Sequence, residues 1–344
     1  LNNASVDVVD LALSGMDNVY YAIYFYDASI SVDGATISDG NSFLLGYAYS
    51  TPPDINLQGL ETGILAGSLV QISNYTASPG ALYLVDSFVE EASYGVYSSG
   101  MMDLEIDDLT IENSTSTAIY VGTSYYDTDG DGVYETLTSP SLSLSHLTLT
   151  NTSGYGIYAQ SDVVYIENSR IYSSLSNGVD LTASEVELAD LTVDSAAGNG
   201  ISVNADVLTA SVVEVGSASS TGINFSGGEL YLTTANVGSA GSYGVYGNGS
   251  SLTLDGVQVD QAVSDGISLT GSSLTVINSY ATGLSGNGLS ITGGAAEVSN
   301  NDFSDNSGYG MVCTSVSLTT CNTNDLSNNT MGAHSGCDDA CGSF

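Results

Sequence analysis

The residues best suited to chemistry lie in one short run, Tyr125-Tyr126-Asp127-Thr128-Asp129-Gly130-Asp131-Gly132-Val133-Tyr134-Glu135. Asp127, Asp129 and Asp131 alternate ahead of Gly132, and Glu135 falls at the ninth position of the same frame. Carboxylates at alternate positions converge on one hard cation, and glycine permits the tight turn beneath it. The run reproduces the first half of an EF-hand-like calcium loop, but Thr138 stands where a bidentate acid closes such a loop. The expectation is a free-standing DxDxDG loop that binds Ca²⁺ through Asp127, Asp129, Asp131 and Glu135. The competing reading is a solvated acidic turn.

Three further groups carry chemical potential. Cys313, Cys321, Cys337 and Cys341 all fall near the C-terminus. An even number clustered this way predicts two disulfides in an oxidising compartment, with three pairings open. A zinc site using Cys337-x₃-Cys341 and His334 is the rival. Tyr97, Tyr120 and Tyr158 form the second group, spaced to stack as exposed rings, either as a contact face for sugar or protein or as an aromatic ladder within a sheet. The third is the acidic group Asp103, Glu105, Asp107, Asp108 and Glu112, read mostly as solvated surface with Glu105 pointing outward. No catalytic residue is assigned. Arg170 is the only basic residue besides the two histidines, His146 and His334, and it stands where Glu167 could pair with it.

The elements that position these residues follow from a repeat. Gly156, Gly178, Gly200, Gly222, Gly244, Gly266, Gly288, Gly310 and Gly332 recur every 22 residues, opening phrases such as Gly-Ile-Ser-Val. Such fixed self-similarity marks a solenoid. Aliphatic residues alternate at the first and third positions after each glycine, as in Ile201/Val203 and Ile267/Leu269. Further alternating pairs follow, as in Leu230/Leu232 and Val213/Val215. Period-2 alternation rich in Val, Ile and Leu means strands with one face inward. Three strands per coil make a three-sided parallel coil. Turn residues Asn168, Asn278, Asn300 and Asn322 are expected to stack as a partial ladder, broken by Val212, Thr234 and Gly256. Towards the N-terminus the markers are Ala22, Leu44, Leu69, Gly95 and Ala118, so about thirteen coils are expected. The boundaries follow: one domain over 1–344, an irregular first coil at 1–21, an inserted acidic loop at 122–141 and a Cys-containing cap at 333–344.

Charge narrows the partners. The chain holds 39 acidic residues, one Lys or Arg, and a formal net charge of −38. That balance excludes nucleic acid and anionic membrane surfaces as electrostatic partners. It also sets up self-repulsion that divalent cations or salt would relieve. No signal peptide, membrane-inserting run or lipidation motif is present, consistent with a mature or trimmed chain. Asn74, Asn113, Asn151, Asn224 and Asn248 head Asn-x-Ser/Thr triplets that could carry glycans.

The 22-residue coils, the turn asparagines and the Gly-Ile-x-Val phrase resemble the right-handed parallel β-helix, or pectin-lyase-like, superfamily, over nearly the whole chain. The resemblance implies an all-β, single-domain right-handed parallel β-helix solenoid. Its members include polysaccharide lyases and hydrolases as well as adhesins and surface proteins, so the fold alone does not carry activity. The residues favour the non-enzymatic branch: an extracellular or cell-surface structural protein, a calcium-stiffened acidic rod that self-assembles end to end or laterally into a filament or array. The alternative is an adhesin or glycan-binding β-helix using the tyrosines. A polysaccharide lyase or hydrolase ranks third.

Overall fold

A computed structural model describes residues 5–14, 20–127, 131–337 and 341. The described chain is all strand, turn and loop, wound as a parallel β-solenoid of about 15 turns, close to the thirteen expected. It falls into two units, one of residues 1–176 and 180–184, the other of residues 177–179 and 185–344.

In each unit the alternation places one aliphatic column over the next. In the first unit, Ile30, Ile55, Leu82, Leu104, Leu142 and Val164 pair in succession, and all are buried. In the second, Ile201, Ile223, Val245, Ile267, Leu289 and Met311 do the same. Burying each such side chain contributes about 1.5–3 kcal/mol. Leu142 sits directly over Leu104 although the flanking serine and aspartate are 38 residues apart in sequence. The inserted segment is thus looped out while the register continues. The stretch expected to be an irregular first coil contains a nine-residue strand, Ser5–Leu13, paired in parallel with Ser29–Gly40.

Two register expectations are corrected. Leu44 is not a marker: it pairs with Ile23 and Val70, so Phe43 stands at the marker position. The interval there is one residue short, which moves Tyr47 into the outward column with Tyr26 and puts Gly46 opposite Phe25. A Cβ on Gly46 would overlap the Phe25 ring, so glycine is required because the neighbouring coil fills its space.

The second correction concerns the turn asparagines. Asn168, Asn278 and Asn300 do not form a hydrogen-bonded ladder. They occupy a column in which one residue per coil has positive φ, a conformation that Asn and Asp tolerate better than most residues. In the first unit Asp10, Asp86, Asp108, His146 and Asn168 hold φ between 47° and 53°, with Gly34 and Gly59 in the same column. In the second the column runs through Asp190, Val212, Thr234, Gly256, Asn278, Asn300 and Thr323. Val212 and Thr234, the expected breaks in the ladder, share this backbone (φ 53° and 52°). Asn322 misses the column because a bulge shifts the register at Ala296/Glu297 and pairs it with Ser299.

The ladders lie on the inward-facing residues after the turn and farther along the coil. Asn301 Oδ1 accepts from the Ser279 amide (2.8 Å), and Asn301 Nδ2 donates to Val276 O and Asn324 Oδ1 (both 2.9 Å). Asn306 accepts from the Leu284 amide (2.9 Å), while its own amide donates to Asn329 Oδ1 (2.8 Å). Burial makes these bonds important, because an unmade one leaves a buried polar group unsatisfied.

At the C-terminal end Cys313 bonds Cys337 and Cys321 bonds Cys341, each pair with Cα atoms 4.9 Å apart. The rival zinc reading is therefore overturned: its thiols are bonded to each other, and His334 sits in the strand Gly332–Ser335. Closing loops with separations of 24 and 20 residues removes unfolded-chain entropy worth about 3 kcal/mol each. Two disulfides are the chemistry of an oxidising environment, since such bonds form and persist there.

Gly46→Ala is expected to lower stability by about 1–3 kcal/mol through overpacking. Combining it with Phe25→Leu should recover part of that loss. Urea unfolding of the single and double variants checks the coupling, and no recovery would mean that Phe25 is not the obstructing group.

Candidate functional site

The outward face of one sheet in the first unit carries the most concentrated side-chain chemistry. Its strands are Tyr21–Tyr26, Ser42–Ala48, Ser68–Asn74, Tyr94–Gly100, Ile119–Gly122 and the start of Ile157–Ile171. Parallel in-register pairing puts Tyr120 between Tyr97 and Tyr158. Their rings stack with centroids 4.9 and 5.1 Å apart and planes within 7° and 12°. Tyr94 meets Tyr97 edge-on at 5.4 Å, and Tyr155 lies 5.4 Å from Tyr158. The three expected tyrosines are thus brought together, but they are half-buried rather than fully exposed. Burial pushes the hydroxyls of Tyr97 and Tyr158 above the ordinary phenol range.

Sequence reasoning missed most of this face. Tyr20, Tyr21, Tyr24, Tyr26, Tyr47, Tyr49, Tyr75 and Tyr126 form a second continuous group, each ring 5.1–6.4 Å from a neighbour. The signal was present as alternating tyrosines, Tyr24/Tyr26 and Tyr47/Tyr49, at the strand period. The hydrogen bond with Tyr26, reinforced by burial, pushes the Tyr24 hydroxyl up to about 12. Asp27 fixes the border of the group, its Oδ1 accepting from the amides of Tyr49 (2.7 Å) and Ser50 (2.8 Å).

The inserted acidic segment joins this face. Ser124–Tyr126 pairs antiparallel with Glu135–Leu137, making a hairpin whose Tyr126 ring rests 5.9 Å from Tyr49 and 5.5 Å from Tyr75. At its tip Asp127 accepts from the Gly132 amide (2.9 Å) and Asp131 from the Val133 amide (2.7 Å). Gly132 has φ +87°, the left-handed turn that the motif needs from glycine. Asp129, the middle carboxylate of the expected set, lies outside the described residues. Among the described residues no group of three His, Cys, Asp or Glu converges as a metal site.

The second acidic group lies along the strand Met102–Ser114 of the same unit, with Asp108 at its positive-φ turn. Asp107 accepts from Ser145 Oγ and contacts His146 Nδ1, both at 2.7 Å, and Asp103 accepts from Ser141 Oγ at 2.7 Å. The His146 contact, then Ser145, holds the Asp107 carboxyl below its usual range, and Asp107 in turn raises His146. Glu105 is exposed, as expected from its place between buried Leu104 and Ile106. A groove of about 360 Å³ runs past Gly59, Glu61, Asp86, Phe88 and Asp108 beside this turn. Arg170 places its guanidinium 4.7 Å from the ring centre of Tyr172.

One glycan candidate is corrected. Asn74 is fully buried, and its side chain is bound to Ser78 O, Met101 O and the Thr76 amide and hydroxyl. It closes a turn and offers no acceptor to a glycosylating enzyme.

Residues 199–340 match the family model of the right-handed beta helix region. Parallel pairing continues through the strands before the matched segment. The fold is that of a right-handed parallel β-helix. No curated protein and no solved structure matches the chain. Among the described residues no helix is long and apolar enough to cross a membrane.

The Asp107–His146 contact fixes a pH window on this β-helix. His146 is raised above 6.5, so its contribution is complete below that value and lost as pH rises through the folded value. Asp107 is lowered below 3.8, so its contribution is complete above that value and lost as pH falls through the folded value. The pair is therefore at full strength between about pH 4 and 6.5. In an NMR titration, Asp107→Asn should move the His146 midpoint down; an unchanged midpoint would exclude the contact as the cause.

Proposed function

We propose that this β-helix is a non-enzymatic extracellular or cell-surface structural protein whose contact surface is the tyrosine face of its first unit. The observation that carries the reading is that face itself: a broad, pre-stacked array of tyrosines held by paired strands. Rings fixed this way lose little conformational entropy on contact, and each offers an apolar body with a polar tip. The two disulfides support an oxidising, extracellular setting. His146 and Arg170, the chemically versatile side chains of that unit, engage Asp107 and Tyr172 as structural partners.

On this reading calcium acts twice. Bound by Asp127, Asp129, Asp131 and Glu135, it stiffens the hairpin that rests on Tyr49 and Tyr75. It also offsets repulsion between copies whose net charge is −38. The tyrosine face then joins copies laterally into a filament or array. Negative-stain imaging of wild type in calcium should show ordered assemblies that chelator disperses and that Asp127→Asn/Asp131→Asn fails to form. Dispersed particles in calcium as well would remove self-assembly.

A second reading, an adhesin or glycan-binding β-helix, is favoured by the near-parallel rings of Tyr97, Tyr120 and Tyr158. Such a ladder suits the flat faces of a sugar chain, and a neutral glycan meets no repulsion from the acidic surface. Glycan-array binding that is lost in the Tyr97/Tyr120/Tyr158→Ala variant would select it over self-assembly. Binding retained by that variant would exclude the ladder as the glycan site.

A further inference from the structure

The tyrosine ladder has a reactivity separate from recognition. We propose that Tyr97, Tyr120 and Tyr158 form a covalent modification site, in which one-electron oxidation joins neighbouring coils through dityrosine bonds. Two phenols on adjacent rings each lose one electron and one proton to give phenoxyl radicals. The radicals couple between ring carbons ortho to the hydroxyls, and each coupled carbon then loses its hydrogen to the adjacent oxygen as aromaticity returns. The pair loses two hydrogen atoms in total. Hydrogen peroxide acting through a haem peroxidase takes up two electrons and two protons and leaves two waters.

Geometry selects this column among the tyrosines. Coupling needs two rings held at van der Waals separation with the same edge aligned. In-register parallel pairing supplies that alignment, because equivalent atoms of Tyr97, Tyr120 and Tyr158 repeat from coil to coil. The rings are 4.9 and 5.1 Å apart with planes only 7° and 12° from parallel, whereas Tyr94 meets Tyr97 at 75° and presents an edge to a face. Tyr49 and Tyr75 are as close, at 5.1 Å, and follow directly on the paired Ala48 and Asn74, but their rings lie 19° from parallel and both sit just past the strand ends rather than inside paired strands.

Two of the usual competing outlets for one-electron oxidation, free thiol and indole, are closed. All four cysteines are in disulfides, tryptophan is absent, and tyrosine is the most abundant aromatic residue, at 23. Exposed Tyr125 and Tyr134, on and beside the hairpin, and Tyr20 are accessible to a bulky oxidant. The ring contacts from Tyr20 through Tyr49 to Tyr126 form a group of their own, so the ladder is oxidised at its own half-buried rings, Tyr97, Tyr120 and Tyr158. A bond between Tyr97 and Tyr120 would tie together coils otherwise held by hydrogen bonds and packing. The staple closes a short loop in the unfolded chain, as a disulfide does.

The test uses the full chain at high dilution, treated with horseradish-type peroxidase and hydrogen peroxide. Monomer is isolated by size exclusion, digested with a protease that cuts after Asp and Glu, and analysed by tandem mass spectrometry. Such cleavage separates the three tyrosines, since Asp103 and Glu105 lie between the first two and Asp127 and Glu135 between the second two. The expected result is monomer carrying Tyr97–Tyr120 or Tyr120–Tyr158 linked peptides, each lighter by two hydrogens than the sum of its parts. Tyr120→Phe keeps the stacked ring but cannot form a phenoxyl radical, so both links should disappear from a variant that folds normally. Monomer without dityrosine would overturn the proposal. So would dityrosine found only between chains, found only at other tyrosines, or undiminished in Tyr120→Phe.

Discussion

In-register parallel stacking is the constraint on which everything else in this molecule rests. Each residue sits about 4.8 Å above its counterpart in the preceding coil, so the chain is read in columns as well as along its length. A column that faces inward must be apolar or self-satisfying, because no solvent reaches it. Ile201 to Met311 meets that requirement with carbon, and Asn301 with Asn324 meets it with hydrogen bonds. A column that faces outward is free in composition but not in neighbours. Tyrosines placed there must stack, and the ladder at Tyr97, Tyr120 and Tyr158 is a consequence of register before it is a device for anything.

The same constraint explains what could be read from sequence. Inward aliphatic columns repeat strictly in the second unit, so strand positions there follow from spacing alone. Where the interval changes, spacing misleads. One residue fewer between Ala22 and Phe43 is enough to turn Leu44 from apparent marker into core and to send Tyr47 outward. The turn column was visible as asparagines, but its common property is backbone conformation. Val212 and Thr234 share positive φ with Asn278 without sharing a side chain, so composition could not reveal it. Left-handed backbone at a β-branched residue is costly, on the order of 1–3 kcal/mol, and it persists because paired strands on both sides fix the turn.

The tyrosine face was only partly legible for a related reason. Three members fall on the same strand position of neighbouring coils and declare themselves by spacing. Tyr49 and Tyr75 follow the paired ends of two strands whose spacing is lengthened to 26 residues, and Tyr126 comes from an inserted hairpin, so the regular 22-residue interval does not reveal that their rings meet within 6 Å. A solenoid tolerates such insertion because the coils on either side pair directly, as Ile119 does with Ile157. The hairpin can then be placed against an outward column without disturbing an inward one.

Charge is where the column rule is most demanding. Like charges directly opposite on neighbouring strands are destabilising, and this chain has 39 acids with almost no cations to separate them. The described strand ladders answer by register. Glu105 lies between Tyr83 and Ser143, Glu61 between Thr36 and Phe88, Glu229 between Val207 and Ser251, and Glu297 between Thr275 and Thr320. Exceptions occur: the register of Gly80–Ala92 on Met102–Ser114 sets Asp86 beside Asp108 and Glu90 beside Glu112, and Asp302 faces Asp325 at an isolated bridge, where each carboxylate accepts from the amide of a serine two residues on. Those local hydrogen bonds hold the Asp325 carboxyl below its usual range despite the neighbouring acid. An acidic surface of this density is compatible with a stacked fold where acids such as Glu61, Glu105, Glu229 and Glu297 are spaced between neutral residues along the axis. The repulsion that remains acts at longer range, where dissolved ions screen it.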